Sequence, residues 1–157
     1  MQPHVPVRCS SIGLFVLKRT SEGTRLLLLK RTQGNNAGSW CQVAGGIEEG
    51  EFAWQTALRE AQEEIGITLC ELYSADLCQQ FYRAGSNVIS LVPTFVAFVD
   101  EHTSITLNAE HSDYRWLSAE EAADWLPFPE QQRALAHIQR YFIDQFPAEA
   151  LKLTLKA

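Results

Sequence analysis

The segment GGIEEGEFAWQTALREAQEEIGI, residues 45–67, decides the fold of this chain. It opens with paired glycines and a loop rich in glutamate, and a helical pattern follows over residues 52–67. Stepping about 100° per residue gathers the apolar side chains of this pattern into one stripe roughly 100° wide. The members of the stripe are Trp54, Ala57, Leu58, Ala61 and Ile65. The segment therefore predicts a loop that leads into a helix with one face against a core.

Three glutamates, Glu60, Glu63 and Glu64, lie together in another arc of about 100° on this helix, outside the apolar stripe. Like charges three and four residues apart oppose helix formation by ~0.2–0.5 kcal/mol per pair. A bound divalent cation would reverse this repulsion, and Mg²⁺ takes oxygen ligands such as carboxylates. The cluster therefore indicates a metal site, and a solvated acidic face is the structural alternative.

The spacing of the charged residues carries a more specific signal. Gly45 is followed after five residues by Glu51 and after seven more by the run REAQEEIGI, residues 59–67. This pattern resembles a complete Nudix box, the signature of the Nudix hydrolases. The resemblance implies an α/β (α+β) fold in which a mixed β-sheet is sandwiched between helices as α/β/α layers. It also implies one Nudix domain over residues 1–157, with the box at 45–67.

Nudix hydrolases cleave a diphosphate linkage in a nucleoside diphosphate joined to another group, and they use a divalent metal. By the match of positions, the resemblance implies that Glu60, Glu63 and Glu64 are metal ligands. The carbonyl oxygen of Gly45 is a further candidate ligand, Mg²⁺ is the expected ion and Mn²⁺ is the alternative. Arg59 is expected to orient these carboxylates through charge-assisted hydrogen bonds.

The general base stays open at this point, because within the family it comes either from the box or from a loop elsewhere. The loop at residues 108–113 contains Glu110, which is our candidate for this catalytic role. A solvated acidic loop is the alternative interpretation of the same residues. His111 on its own is interpreted as a loop residue and not as a ligand.

The substrate is indicated only by features that flank the box. Trp40, the Glu110–His111 pair and the strand pattern YRWL at 114–117 together resemble the bacterial dihydroneopterin triphosphate and deoxyadenosine triphosphate pyrophosphohydrolases. This resemblance implies cleavage of a nucleoside or pterin triphosphate into the monophosphate and pyrophosphate. Tyr82 lies near where dinucleoside polyphosphate hydrolases carry a tyrosine, which keeps those substrates open. Hydrolysis of a nucleotide sugar or of ADP-ribose is a further alternative. A nucleotide-sensing module without catalysis is the alternative from another class, although the intact carboxylates argue against it.

Outside the box, apolar runs and turn residues predict the remaining elements. Two runs around the turn at 20–23 predict a hairpin, whose stretch LLLL at 26–29 is typical of a strand covered on both faces. Strands are predicted over 69–83 and 87–100, and Pro93 in the second requires an edge position or a bulge. A late strand at 114–117 precedes a short acidic helix from Ser118. Pro129 suits the start of a last helix with a core stripe, formed by Ala134, Leu135, Ile138, Tyr141, Phe142 and Phe146.

Composition limits the class of protein and of partner. The 157 residues, 46% of them hydrophobic, fit one domain with a sizeable core. The net charge of −6 argues against a nucleic-acid polymer, whereas a metal ion can bring a small phosphorylated nucleotide-like substrate to an acidic protein. The longest apolar run, at 88–99, is shorter than the roughly 20 residues of a membrane span. The four cysteines have neither the close pairing of a zinc site nor the density of a small secreted scaffold, and no secretory signal is visible. These features predict a cytoplasmic protein without membrane partners. The oligomeric state stays open.

Overall fold

A single mixed β-sheet with helices on both faces forms the framework of the protein. The structure, a computed structural model, describes residues 3–156. Its strands are β1 (Val7–Arg8), β2 (Ser11–Thr20), β3 (Gly23–Arg31), β4 (Trp40–Cys41), β5 (Val43–Gly46), β6 (Tyr73–Arg83), β7 (Val88–Val99) and β8 (His111–Leu117). Its helices are α1 (Ala53–Ile65), α2 (Ala119–Trp125) and α3 (Pro129–Ile138), and α3 continues into a π-helical turn, Gln139–Ile143. A short 3₁₀ turn, Glu149–Leu151, lies near the C-terminus.

Strand β2 occupies the centre of the sheet. It pairs in antiparallel fashion with β3 through the predicted hairpin and in parallel fashion with β7. The first residues of β2 also pair antiparallel with β5, which opposes Gly45 to Ile12. Strand β3 pairs with both β4 and β8, and β7 pairs with both β6 and β1. The sheet thus joins the strand that ends at the box to the strand that follows Glu110.

The hydrophobic core has two halves, one on each face of the sheet. Leu26 and Leu28 pack with the apolar side chains of α2 and α3 on one face. Leu27 and Leu29 pack on the other face against α1. All four leucines are fully buried, because successive side chains of a strand point to opposite faces and both faces are covered. The α/β/α layers and the doubly covered strand are therefore confirmed.

Helix α1 is shorter than the periodicity predicts. It ends at Ile65 because Gly66 adopts a left-handed conformation, with φ of 70°, and its N–H bonds back to carbonyls of the last turn. Within the predicted stripe, Ala57, Ala61 and Ile65 are fully buried against the sheet. The other two members, Trp54 and Leu58, are only partly buried.

Pro93 lies inside the sheet and not at an edge. Strand β7 has β6 on one side and both β1 and β2 on the other, so the edge position is wrong. The predicted bulge is present, because the register between β6 and β7 shifts between Ser74 and Cys78, next to the pair Cys78 and Pro93. On its other side, Pro93 falls between the ladders to β1 and to β2 and has no partner residue in either.

The last helix departs from its predicted core stripe toward the C-terminus. Ala134, Leu135, Ile138 and Phe142 are buried as expected, but Tyr141 is 38% and Phe146 83% exposed. The regular helix ends at Ile138, and the following π-helical turn closes with a bond from the Asp144 N–H to the Gln139 carbonyl (2.8 Å). A π turn holds more residues than an α turn, so side chains beyond it no longer follow the helical stripe. The interpretation of Tyr141 and Phe146 as core residues is wrong. No helix within residues 3–156 has the length and apolar character needed to cross a membrane.

Candidate active site

The loop between β5 and α1 brings the paired glycines next to the carboxylates of the helix. Strand β5 is held in the sheet by its hydrogen-bonded ladder with β2. Helix α1 is held against one face of that sheet by its buried alanines, which pack with Leu27, Leu29 and Val43. Gly45 then lies so close to Glu60 that a Cβ atom at Gly45 would overlap the carboxyl group. Glycine is therefore required here by close approach, and φ of Gly45 is not in the left-handed region.

Arg59 joins the loop to the helix through four partners. Its Nε donates to Glu51 (2.7 Å), and its Nη2 donates to the carbonyl oxygen of Gly46 (2.8 Å). Its Nη1 donates to Glu60 (2.9 Å) and to Glu63 (3.2 Å). One guanidinium thus holds the loop closed while it gathers two of the predicted metal ligands.

The charge of this group is fixed by its neighbours. Hydrogen bonds from Arg59 and from the Thr56 hydroxyl lower the pKa of Glu51 to about 2. The bond to Glu51, followed by those to Glu60, raises the pKa of Arg59 further above its ordinary value. Both groups are therefore ionised at neutral pH, and their contact is a charge-assisted pair that stiffens the loop.

The three predicted ligands have different surroundings. Glu60 and Glu64 are 7% and 4% exposed, whereas about half of the Glu63 side chain is exposed. Glu64 accepts a hydrogen bond from the Ala44 N–H (3.3 Å). Burial, followed by repulsion from Glu60, raises the pKa of Glu64 to about 8, and burial raises the pKa of Glu60 as well. Two carboxylates buried side by side are costly unless a cation compensates them. The donor set is hard oxygen, so these residues fit a divalent ion such as Mg²⁺.

The Glu110 carboxylate also lies near the carboxylates of the box, although it is far from them in the sequence. Strands β3 and β8 pair so that His111 opposes Arg31, and the carbonyl of Glu110 accepts a bond from the Thr32 N–H (3.0 Å). The ligand atoms of Glu64, Glu110 and His111 all lie within 4.8 Å of one another. The structure therefore brings the predicted loop glutamate to the box carboxylates, and its role as the base stays a prediction.

Sequence reasoning missed His111. It is not a solvated loop residue but the first residue of β8, and it is 8% exposed beside Glu64 and Glu110. Its burial lowers its pKa below the usual histidine value. The sequence places His111 directly after Glu110 and shortly before the predicted strand at 114–117. That pattern did not reveal that the strand begins three residues earlier, at His111.

Some of the residues that the sequence linked with the substrate lie close together, and Tyr82 does not lie with them. The Trp40 ring packs edge-on against Trp125, with 4.7 Å between ring centroids. The Arg115 guanidinium of β8 lies 5.8 Å from the centre of the Trp40 ring. Tyr82 lies on β6 with much of its side chain exposed, and its hydroxyl donates to Asn87 (2.8 Å). The first three form one cluster, while Tyr82 belongs to the β6–β7 hairpin.

Comparisons with known proteins agree with this fold. The NUDIX domain family model matches residues 8–146. The asymmetrical bis(5'-nucleosyl)-tetraphosphatase of Rattus norvegicus is 33% identical over 134 residues, which cover 78% of this chain and 88% of the relative. The dihydroneopterin triphosphate diphosphatase of Escherichia coli K12 is 28% identical over 123 residues, 71% of this chain and 81% of the relative. The solved E. coli dihydroneopterin triphosphate pyrophosphohydrolase superposes with a TM-score of 0.71 at 25% identity, over 89% of this chain and 97% of that one.

The family match spans most of the chain, and its relatives are named hydrolases. It contains the whole box at 45–67 and the β8 segment that carries His111 and Arg115. The resemblance drawn from the box is therefore confirmed, and this chain is a member of the Nudix hydrolase family.

Proposed function

We propose that this protein hydrolyses a diphosphate linkage in a small nucleoside or pterin polyphosphate in a reaction that depends on Mg²⁺. The observation that carries the proposal is the pair of buried carboxylates, Glu60 and Glu64, beside a guanidinium that already has four partners. Arg59 alone does not neutralise Glu60, Glu63, Glu64 and the nearby Glu110. A divalent ion supplies the missing positive charge, and a phosphate chain can then approach an acidic site.

Each residue has a distinct task in this proposal. Glu60, Glu63 and Glu64 would hold the ion, with the carbonyl oxygen of Gly45 as a further ligand. A bound divalent ion withdraws charge from phosphate oxygens and lowers the pKa of coordinated water. Arg59 keeps the carboxylates in position, as its bonds to the loop and to the helix allow. Glu110, next to Glu64, accepts the proton of the attacking water as general base.

For the substrate, we propose a nucleoside or pterin triphosphate that is cleaved to the monophosphate and pyrophosphate. The cluster of Trp40 with Arg115 and the similarity to the E. coli enzyme support this choice. A dinucleoside polyphosphate is the second candidate, because the rat tetraphosphatase has the higher sequence identity and Tyr82 exposes its ring on β6. Mn²⁺ is the alternative ion.

A substrate panel tests the proposal directly. Nucleoside triphosphates, dihydroneopterin triphosphate, diadenosine tetraphosphate, ADP-ribose and a nucleotide sugar are incubated with Mg²⁺ or with EDTA, and products are resolved by chromatography. We expect pyrophosphate release from a triphosphate, with loss of activity in EDTA. Asymmetric cleavage of the tetraphosphate alone would select the second candidate. Binding of these nucleotides without turnover of any of them would contradict catalysis and indicate a sensing module.

The metal ligands are tested with a matched pair of variants. Glu63→Gln removes one carboxylate charge from a half-exposed position, so we expect the fold to persist and turnover to fall by a factor of roughly 100 or more. Glu49→Gln removes the same charge from an exposed residue of the loop before α1 and should leave turnover unchanged. Equal activity of the two variants would contradict the ligand assignment.

A further inference from the structure

The His111 ring contains a polar atom that the protein itself leaves without a partner. Its Nδ1 is closed off from solvent, and no hydrogen-bond partner for it exists among the described residues. A buried polar atom without a partner costs about 1–3 kcal/mol, and most such atoms in folded proteins are satisfied. The orphaned nitrogen therefore indicates that something outside the polypeptide completes this position.

The surroundings of the ring show what kind of group that is. The ligand atoms of Glu64, Glu110 and His111 lie within 4.8 Å of one another. Two ligands of one metal ion stand at most about twice the ligand–metal distance apart, roughly 4–5 Å. One ion between the three side chains is therefore within reach of each of them after small side-chain rotations.

Two of the three side chains are held in place by the backbone. His111 is fixed by the β3–β8 ladder opposite Arg31, and Glu64 is fixed by its bond from the Ala44 N–H. Glu110 is exposed and precedes β8, so one of its carboxylate oxygens can reach the ion while the other stays free for the base role proposed above. A site on rigid strands and helices holds its ligands more closely to one geometry than a site on loops.

We propose that His111 contributes a ring nitrogen to a divalent ion that it shares with Glu64 and Glu110. This inference rests on the proposed metal-dependent function and adds a nitrogen to a set otherwise made of oxygen ligands. Imidazole favours transition ions such as Co²⁺ over Mg²⁺, which prefers carboxylate, carbonyl and water oxygens. The protein is therefore expected to bind Co²⁺ more tightly than Mg²⁺, and His111 is the residue that sets this preference.

Pulsed electron paramagnetic resonance of the Mn²⁺-loaded protein tests the ligand directly, without any substrate. We expect a ¹⁴N coupling of the size given by direct coordination in the wild type and in His102→Asn, which alters an exposed histidine. The coupling should disappear in His111→Asn and in His111→Gln, where the longer side chain fills more of the space left by the ring. Circular dichroism establishes that each variant is folded.

Metal titrations give the second readout. We expect His111→Asn to weaken Co²⁺ binding at least about tenfold and Mg²⁺ binding by less than about threefold. Bound Mn²⁺ without ¹⁴N coupling in the wild type would overturn the assignment of His111 and leave metal-dependent hydrolysis intact. Absence of both Mn²⁺ binding and metal-stimulated hydrolysis would overturn the proposed function and this inference together.

Discussion

Replacement of Gly45 with alanine would place a methyl group where the Glu60 carboxyl group lies. The overlap involves the Cδ and Oε1 atoms of Glu60, which would have to move by roughly 1 Å or more to reach ordinary contact. Gly46 is the natural control, because a Cβ there meets only the Ser10 carbonyl oxygen at 3.8 Å. Neither glycine has a positive φ, so the two substitutions differ in space and not in backbone strain.

The size of the effect follows from what Glu60 loses when it moves. Its 2.9 Å bond from Arg59 is charge-assisted, and such bonds contribute about 1.5–3 kcal/mol. Overpacking of a well-filled interior costs about 1–3 kcal/mol if the carboxyl group stays in place. If Glu60 moves away instead, the overlap is relieved but the bond from Arg59 is lost, so the two costs replace each other and do not add. We therefore expect Gly45→Ala to lower the free energy of unfolding by about 1–3 kcal/mol, and Gly46→Ala by less than about 0.5 kcal/mol.

Urea denaturation followed by circular dichroism measures the stability of both variants, and hydrolysis at saturating Mg²⁺ measures activity. A misplacement near 1 Å of a group at the reacting centre can cost about 100-fold, so we expect a loss of that order in kcat/KM for Gly45→Ala. The carbonyl of residue 45 is retained in the variant, so the loss reports the displaced carboxylate. Equal stability and activity of the two alanine variants would refute the close approach of Gly45 and Glu60.

Three further outcomes are expected. Arg59→Lys keeps the charge but loses the forked contacts with Glu51 and Gly46, so thermal unfolding should show a loss of about 1–3 kcal/mol; an unchanged melting temperature would contradict this. The pKa of Glu64, about 8 when folded against 4.5 for an ordinary glutamate, means that its contribution to ion-free stability is complete below pH 4.5 and is lost as pH rises through 8. Mg²⁺ must displace the proton of the Glu64 carboxyl group, so the Mg²⁺ affinity measured by calorimetry should rise about 50-fold between pH 6 and pH 8. An Mg²⁺ affinity that does not change with pH would contradict the assignment of Glu64 as a metal ligand. Leu28→Ala should cost about 2–5 kcal/mol in urea denaturation, whereas Phe146→Ala, at an exposed position, should change stability by less than about 0.5 kcal/mol.

The local patterns of the sequence predict the elements of the fold well. The helix of the box, the hairpin and the strand at 26–29 each follow from a short run of residues whose spacing matches one period. Ser118 caps the start of α2 as expected, because its hydroxyl accepts a hydrogen bond from the Glu121 N–H (3.2 Å) and the Glu121 carboxylate accepts one from the Ser118 N–H (3.1 Å). These contacts lie within four residues of one another, which is the range that sequence patterns describe.

The candidate site is less accessible to such reasoning. The helical arc ranks Glu64, Glu60 and Glu63 by their distance from the apolar stripe, but only the packing of α1 beside β5 buries the first two deeply and leaves Glu63 half exposed. The approach of Glu110 and His111 depends on the β3–β8 register, which shifts by one residue beside Arg31. The packing of α1 beside β5 and the β3–β8 register both join residues that are far apart in the chain. Local sequence patterns do not determine which strands pair or in which register.

The parallel pairing of β2 with β7 governs the order in which the protein can assemble. Gly13 of β2 pairs with Thr94 of β7, so the chain between them closes a loop of about 80 residues, and parallel pairings across such distances form slowly. During synthesis the box emerges long before β7 and β8. A nascent chain can therefore pack α1 against β2 and β3 early, but it acquires Glu110 and His111 only after the later strands have joined the sheet.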